Sequence, residues 1–129
     1  MIPKQLADET NLLRAGGVNV DAIEADGFIN LIIHDFELPH GLNKTKCERL
    51  LIRVPVAYPN GRPDMFWTEE DVTLANGTIV KKSDVFETIL GQKWRRFSWH
   101  PQNWNPGTDN LGTFIEFIVT GLTKAITQA

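Results

Sequence analysis

Apolar residues recur along this chain at two spacings, and the change from one to the other lays out the elements. Leu6, Ala7, Leu12 and Leu13 fall at helical spacing in a segment that opens near Pro3, a residue tolerated in a first turn, and closes at Gly16-Gly17. Val18 to Ala25 and Phe28 to Leu38 then read as strands. They join at Asp26-Gly27, a dipeptide whose readiness to take positive φ suits a tight hairpin turn. Pro39 to Asn43 makes a second turn, after which Leu50, Ile52 and Val54 alternate with Leu51 and Arg53 in a third strand.

Pro59, Gly61 and Pro63 break any ladder between Ala57 and Pro63 and require an ordered loop there, followed by a short apolar strand at Met65-Phe66-Trp67. Asn76-Gly77 marks a turn. Asp84 with Glu87 three residues on resembles a capping box, so a short helix is expected to open there and stop near Gly91, with Val85, Phe86, Ile89 and Leu90 on its apolar face. After Pro106-Gly107, the residues Leu111, Phe114, Ile115, Ile118, Leu122 and Ile126 recur at helical spacing and define the clearest helix. The order predicts an α+β fold, an antiparallel meander of about four strands with flanking helices.

With 129 residues the chain has the size of one ordinary domain, and residues 1–129 are expected to share one core. A hydrophobic content of 42% with 22% charged residues is that of a globular protein. No apolar run approaches the roughly 18 residues of a membrane span, and no secretory leader is visible, so a cytoplasmic location away from membranes is expected. A net charge of −3 gives no general case for nucleic acid, and the local run Trp94-Arg95-Arg96-Phe97 reads as a solvated arginine pair. His34, His40 and His100 are scattered and Cys47 is the single cysteine, which argues against a metal site and an internal disulfide. No cofactor is expected.

The run Arg53 to Phe66, with Pro55, Tyr58-Pro59 and Pro63-Asp64-Met65-Phe66, resembles the signature of ubiquitin-conjugating enzymes, whose third strand leads into a tyrosine-proline loop. Trp104-Asn105-Pro106 ahead of the last helix is similar to the tryptophan and proline that open the helix after their active-site segment. The prokaryotic branch called family E is the closer resemblance. It is carried by Pro63 to Trp67, Asp84 to Thr88, the spaced Trp94, Arg96, Ser98 and His100, and the spaced Trp104, Pro106, Gly107, Asp109 and Leu111. This resemblance covers roughly residues 20 to 126. It implies the ubiquitin-conjugating fold, and a ubiquitin-like protein and a ubiquitin-activating-like enzyme as partners.

Such enzymes work through a cysteine thiolate that takes the ubiquitin-like C-terminus as a thioester, beside a side chain that stabilises the oxyanion. His100-Pro101-Gln102 resembles the motif that precedes that cysteine, and Gln102 can supply the hydrogen bond, yet no cysteine follows it. Thioester chemistry at the usual position is therefore excluded for this sequence. The remaining thiol, Cys47, groups by strand phase with Arg49 and Arg53 and reads as a half-exposed strand cysteine, whose neighbours Lys44, Lys46 and Arg49 can favour the thiolate.

His100, lying among Ser98, Trp99 and Trp104, is the best polar candidate in the active-site segment; hydrogen bonding to irregular backbone is the competing role. If Ser98 or another residue near His100 were the nucleophile, His100 would act as its base. Asp109 is expected to cap or stabilise the start of the last helix. Tyr58, Pro59, Pro63, Trp99, Gln102, Trp104 and Asp109 make up the implied binding surface. Trp67, Trp94, Trp99 and Trp104 are expected to fill core and shelf, with an interface anchor as the alternative role for one of them. Three functions follow: a carrier or adaptor without a thioester, an active conjugating enzyme using Cys47 or a residue near His100, and a noncatalytic scaffold module.

Overall fold

The computed structural model describes all 129 residues. Helix α1 (Lys4–Ala15) precedes six strands, β1 (Val20–Ala25), β2 (Phe28–Glu37), β3 (Lys46–Pro55), β4 (Phe66–Thr68), β5 (Val85–Ile89) and β6 (Gln92–Phe97), and helix α2 (Leu111–Thr127) closes the chain. The strands form one sheet in the order β1-β2-β3-β4-β6-β5, with every neighbouring pair antiparallel. The first hairpin turns where Asp26 and Gly27 take φ of 55° and 81°, so that Ala25 faces Phe28, as the Asp-Gly pair requires.

Period-2 alternation divides the apolar residues between the two faces of the sheet. Ile29, Leu31 and Ile33 of β2, Leu50, Ile52 and Val54 of β3, Phe66 of β4 and Phe97 of β6 share one core with Leu6 of α1 and with Leu111, Phe114, Ile118 and Leu122 of α2. Ile32, Leu51, Trp67, Ile89 and Trp94 make a smaller cluster on the other side, where the Arg49 guanidinium lies 5.3 Å from the Trp94 ring centre. The α2 face is the one read from the sequence. On α1, however, Leu6 is buried whereas Leu12 is 73% exposed, and Thr10 takes the second buried position.

The segment read as a helix from Asp84 is the β5–β6 hairpin, which raises the strand count from about four to six. Leu90 and Gly91 take φ of 54° and 73° and bring Ile89 opposite Gln92, a two-residue turn. The deciding contacts are distant ones. Phe97, Arg96 and Arg95 pair with Phe66, Trp67 and Thr68 of β4, so the hairpin extends an existing sheet. Glu87 does not close a capping box; its carboxylate accepts from Trp67 Nε1 at 3.1 Å and from Arg96 Nη1 at 3.0 Å.

The arginine pair is not solvated either. Arg95 is buried, donating to the carbonyls of Glu70 and Ser83, while Arg96 is half-buried between Glu87 and Ser98.

Candidate functional site

Residues 98–109 run without regular structure from β6 to α2, and backbone groups of this shelf that no ladder can satisfy are taken up by other partners. Ser98 N–H donates to Lys82 O at 3.0 Å and Met65 N–H to Trp99 O at 3.1 Å. Arg62 Nη1 donates to Pro101 O at 2.6 Å, and Trp104 Nε1 to Pro59 O at 2.9 Å. The last two bonds fasten the Tyr58–Pro63 loop to the shelf. Pro63 is buried at the loop's exit, just before β4.

Tyr58 anchors the loop from below. Its hydroxyl donates to the Glu9 carboxylate of α1, and Glu9 Oε1 also accepts the Leu111 N–H at the start of α2, at 3.0 Å. Burial, with the Glu9 carboxylate beside it, pushes the Tyr58 hydroxyl well above the usual tyrosine range, so it stays a donor. The Tyr58 and Trp104 rings lie 6.3 Å apart.

His100 stands half-exposed on this shelf, with Nδ1 2.8 Å from Asp64 Oδ1. The carboxylate fixes the ring through one nitrogen and leaves Nε2 for other partners. Nothing local in the sequence marks Asp64 as a site residue, because 36 positions separate it from His100. Ser98 is turned to another use: its Oγ accepts from Arg96 Nε at 3.0 Å, and no hydrogen bond joins it to His100.

A cleft of about 580 Å³ opens between the shelf and α2, lined in part by Ser98, Trp99, His100 and Gln102. Trp99 is locked there by its Nε1 bond to Lys81 O at 2.9 Å and by Gly121 of α2, where an added Cβ would lie 2.8 Å from the Trp99 ring. Asp109 does not cap α2. Its Oδ2 accepts the Asn105 N–H at 2.7 Å, while Asn110 is the cap and forms a reciprocal box with Thr113. No group of three or more His, Cys, Asp or Glu side chains is close enough to hold a metal ion.

A family model described as "Prokaryotic E2 family E" matches residues 5–125. The chain belongs to this family. No curated protein and no solved structure gives a significant match. E2 enzymes carry their cargo on a cysteine thiol, and Cys47 is the single cysteine of this chain.

In this E2-like chain Cys47 is not the half-exposed strand cysteine that alternation along the strand leads one to expect. Cys47 is 0% exposed and belongs to the main core. The strand phase breaks beside it: Asp35 on β2 takes φ of 54°, and the register passes from His34↔Arg49 to Phe36↔Cys47 without an Asp35–Glu48 pair. There Glu69 replaces the ladder, accepting the N–H groups of Glu48 at 2.8 Å and Arg49 at 3.0 Å. Cys47 Sγ–H donates to Arg49 O at 3.0 Å.

Burial pushes the thiol up to about 12, and the Glu69 charge adds to the effect. The basic neighbours do not reverse it. Lys44 is paired with Glu69 at 3.0 Å and Asp71 at 2.9 Å, and Arg49 lies over Trp94. Eight residue steps along β3, about 26 Å at roughly 3.3 Å per residue, separate Cys47 from Pro55, where the loop towards the shelf begins. No helix of this chain is long and apolar enough to cross a membrane.

Proposed function

We propose that this E2-like protein serves a cytoplasmic ubiquitin-like modification pathway as a carrier or adaptor for the activating enzyme or for its ubiquitin-like protein, without forming a thioester. One observation carries the reading: the only thiol is sealed in the core at the far end of β3, while the solvent-facing shelf holds His100 and Asp64 and no thiol. A thiol held at about 12 is ionised to roughly one part in 10⁵ at neutral pH, and the thiolate is the form that attacks. Residues 1–129 act here as one domain that presents the shelf, its Tyr58–Pro63 loop and α2 to the partner.

The test is intact mass after incubation with the activating enzyme, ATP and the ubiquitin-like protein, together with a binding measurement on the same mixture. The expected result is binding to one of the two partners and no reductant-sensitive adduct on this chain. A reductant-sensitive adduct that disappears in Cys47→Ala would overturn the proposal.

A second reading is favoured by the 2.8 Å contact between His100 and Asp64, since an imidazole oriented by a carboxylate is the arrangement of a general base. On that reading the protein conjugates through a hydroxyl near His100. Its adduct would resist reductant, yield to hydroxide and vanish in His100→Ala.

A further inference from the structure

The charge of this chain is unevenly placed. Its net charge is −3, yet the cleft between shelf and α2 is lined by Lys81, Lys82 and Lys124, with Glu116 as the sole acidic residue. The lysine ion pairs of the molecule belong to Lys4, Lys44 and Lys93, so none of the three cleft ammoniums has a carboxylate within 4.0 Å, and one Glu116 charge against three leaves the cleft net positive. Like charges gathered in one concavity repel each other when it is empty and draw in an anion. Lys82 adds a strained backbone: it is not glycine, yet it holds φ of 60°, with its carbonyl bound by the Ser98 N–H.

Uncharged donors face the same space. Ser98 Oγ already accepts from Arg96, which leaves its own proton to give, and the Gln102 amide has no partner within the fold. Beside them are two aromatic rings, Trp99 and Phe117. Trp99 is fixed by edge contacts to Phe66 at 5.4 Å and Phe97 at 5.5 Å, so little freedom remains for it to lose when a flat ring stacks on it. The volume of about 580 Å³ lies within the usual range of small-molecule sites.

We infer that this cleft binds a ligand of the nucleotide class, a small molecule that joins phosphate groups to a flat ring, with the phosphates among Lys81, Lys82 and Lys124 and the ring against Trp99. A lone carboxylate would leave most of the positive charge unmatched, and a purely apolar ligand would leave all of it. The inference goes beyond the conjugation reading and needs neither the activating enzyme nor the ubiquitin-like protein. Its test and the mass experiment therefore succeed or fail separately.

The experiment is calorimetric titration of the full chain with ADP, in parallel with adenosine and with inorganic pyrophosphate, accompanied by tryptophan fluorescence. ADP should saturate one site, quench the fluorescence, weaken with added salt, and bind more tightly than adenosine or pyrophosphate. Lys81→Gln and Lys124→Gln should each weaken ADP by about tenfold, the loss of one charge-assisted contact. Lys93→Gln, outside the cleft, should leave the affinity unchanged. Absence of saturable ADP binding overturns the inference, as does pyrophosphate binding as tightly as ADP. It is equally overturned if Lys93→Gln weakens binding as much as the cleft variants, or if an acidic peptide binds more tightly than ADP.

Discussion

Replacing Glu9 by alanine should cost this protein far more than a surface carboxylate on a first helix ordinarily would. In the native fold that carboxylate takes the Tyr58 hydroxyl and the Leu111 N–H, and both donors belong to buried residues. Alanine leaves the two donors without a partner, and a buried donor deprived of its acceptor costs about 1 to 3 kcal/mol. The expected loss is therefore about 2 to 6 kcal/mol, a large share of the roughly 5 to 15 kcal/mol that holds an ordinary domain.

Tyr58→Phe removes only the hydroxyl and keeps the ring beside Trp104, so about 1 kcal/mol is expected. The double variant should lose clearly less than the sum of the two single losses, because without the hydroxyl one orphan no longer exists. Urea denaturation reads all three. With a slope of about 1.5 kcal/mol per molar, a loss of 3 kcal/mol moves the midpoint by about 2 M. A Glu9→Ala loss below about 0.5 kcal/mol, or full additivity in the double variant, would refute the claim that this carboxylate ties α1, the loop and α2 together.

Phe114→Ala or Ile118→Ala should lose about 2 to 5 kcal/mol in the same assay, since both side chains are fully buried on the sheet-facing side of α2. Cys47 in the native protein should resist alkylation at mildly alkaline pH and react at once on unfolding, as followed by mass; ready labelling of folded protein would contradict its burial. Burial alone would push the Glu69 carboxyl up, but the N–H groups of Glu48 and Arg49 and the Lys44 ammonium outweigh it and hold the carboxyl below its ordinary 4.5. Its contribution is thus complete above about pH 4.5 and lost as the pH falls below that value, so Glu69→Gln should flatten the acid limb of a stability-against-pH curve.

What could be read from the sequence is what local chemistry decides. Asp26-Gly27 sets its own turn, the spacing from Leu111 to Leu122 sets the buried face of α2, and the prolines from 59 to 63 forbid a ladder whatever surrounds them. What could not be read depends on partners far along the chain. Asp84 and Glu87 carry a genuine helix-start pattern, yet β4 and β6 pair across some thirty residues and Glu87 is claimed by Trp67 and Arg96. Alternation along β3 placed Cys47 with the arginines, and only the missing pair at Asp35 on the neighbouring strand shows why it faces the core. The His100–Asp64 pair follows the same rule, because it exists only once the Arg62–Met65 segment is laid against the shelf.

Two carboxylates do comparable work at opposite ends of β3. Beyond its Pro55 end, Glu9 collects donors from the Tyr58 loop and from α2; at its Cys47 end, Glu69 collects the N–H groups of Glu48 and Arg49 with the Lys44 ammonium. Each stands where the chain leaves regular pairing and supplies acceptors that the sheet no longer offers. The first bracket opens onto the shelf, the cleft and His100, whereas the second closes over the only thiol. No hydrogen bond links the two brackets, and sites this far apart without a shared partner are expected to respond to substitution independently. His100 and Asp64 can therefore be altered to probe binding or base chemistry at the shelf without loosening the cysteine. Cys47→Ala in turn tests the thiol without disturbing the shelf. An adduct or a binding event that answers to both substitutions would mean that the two ends are joined by a motion that the static fold does not contain.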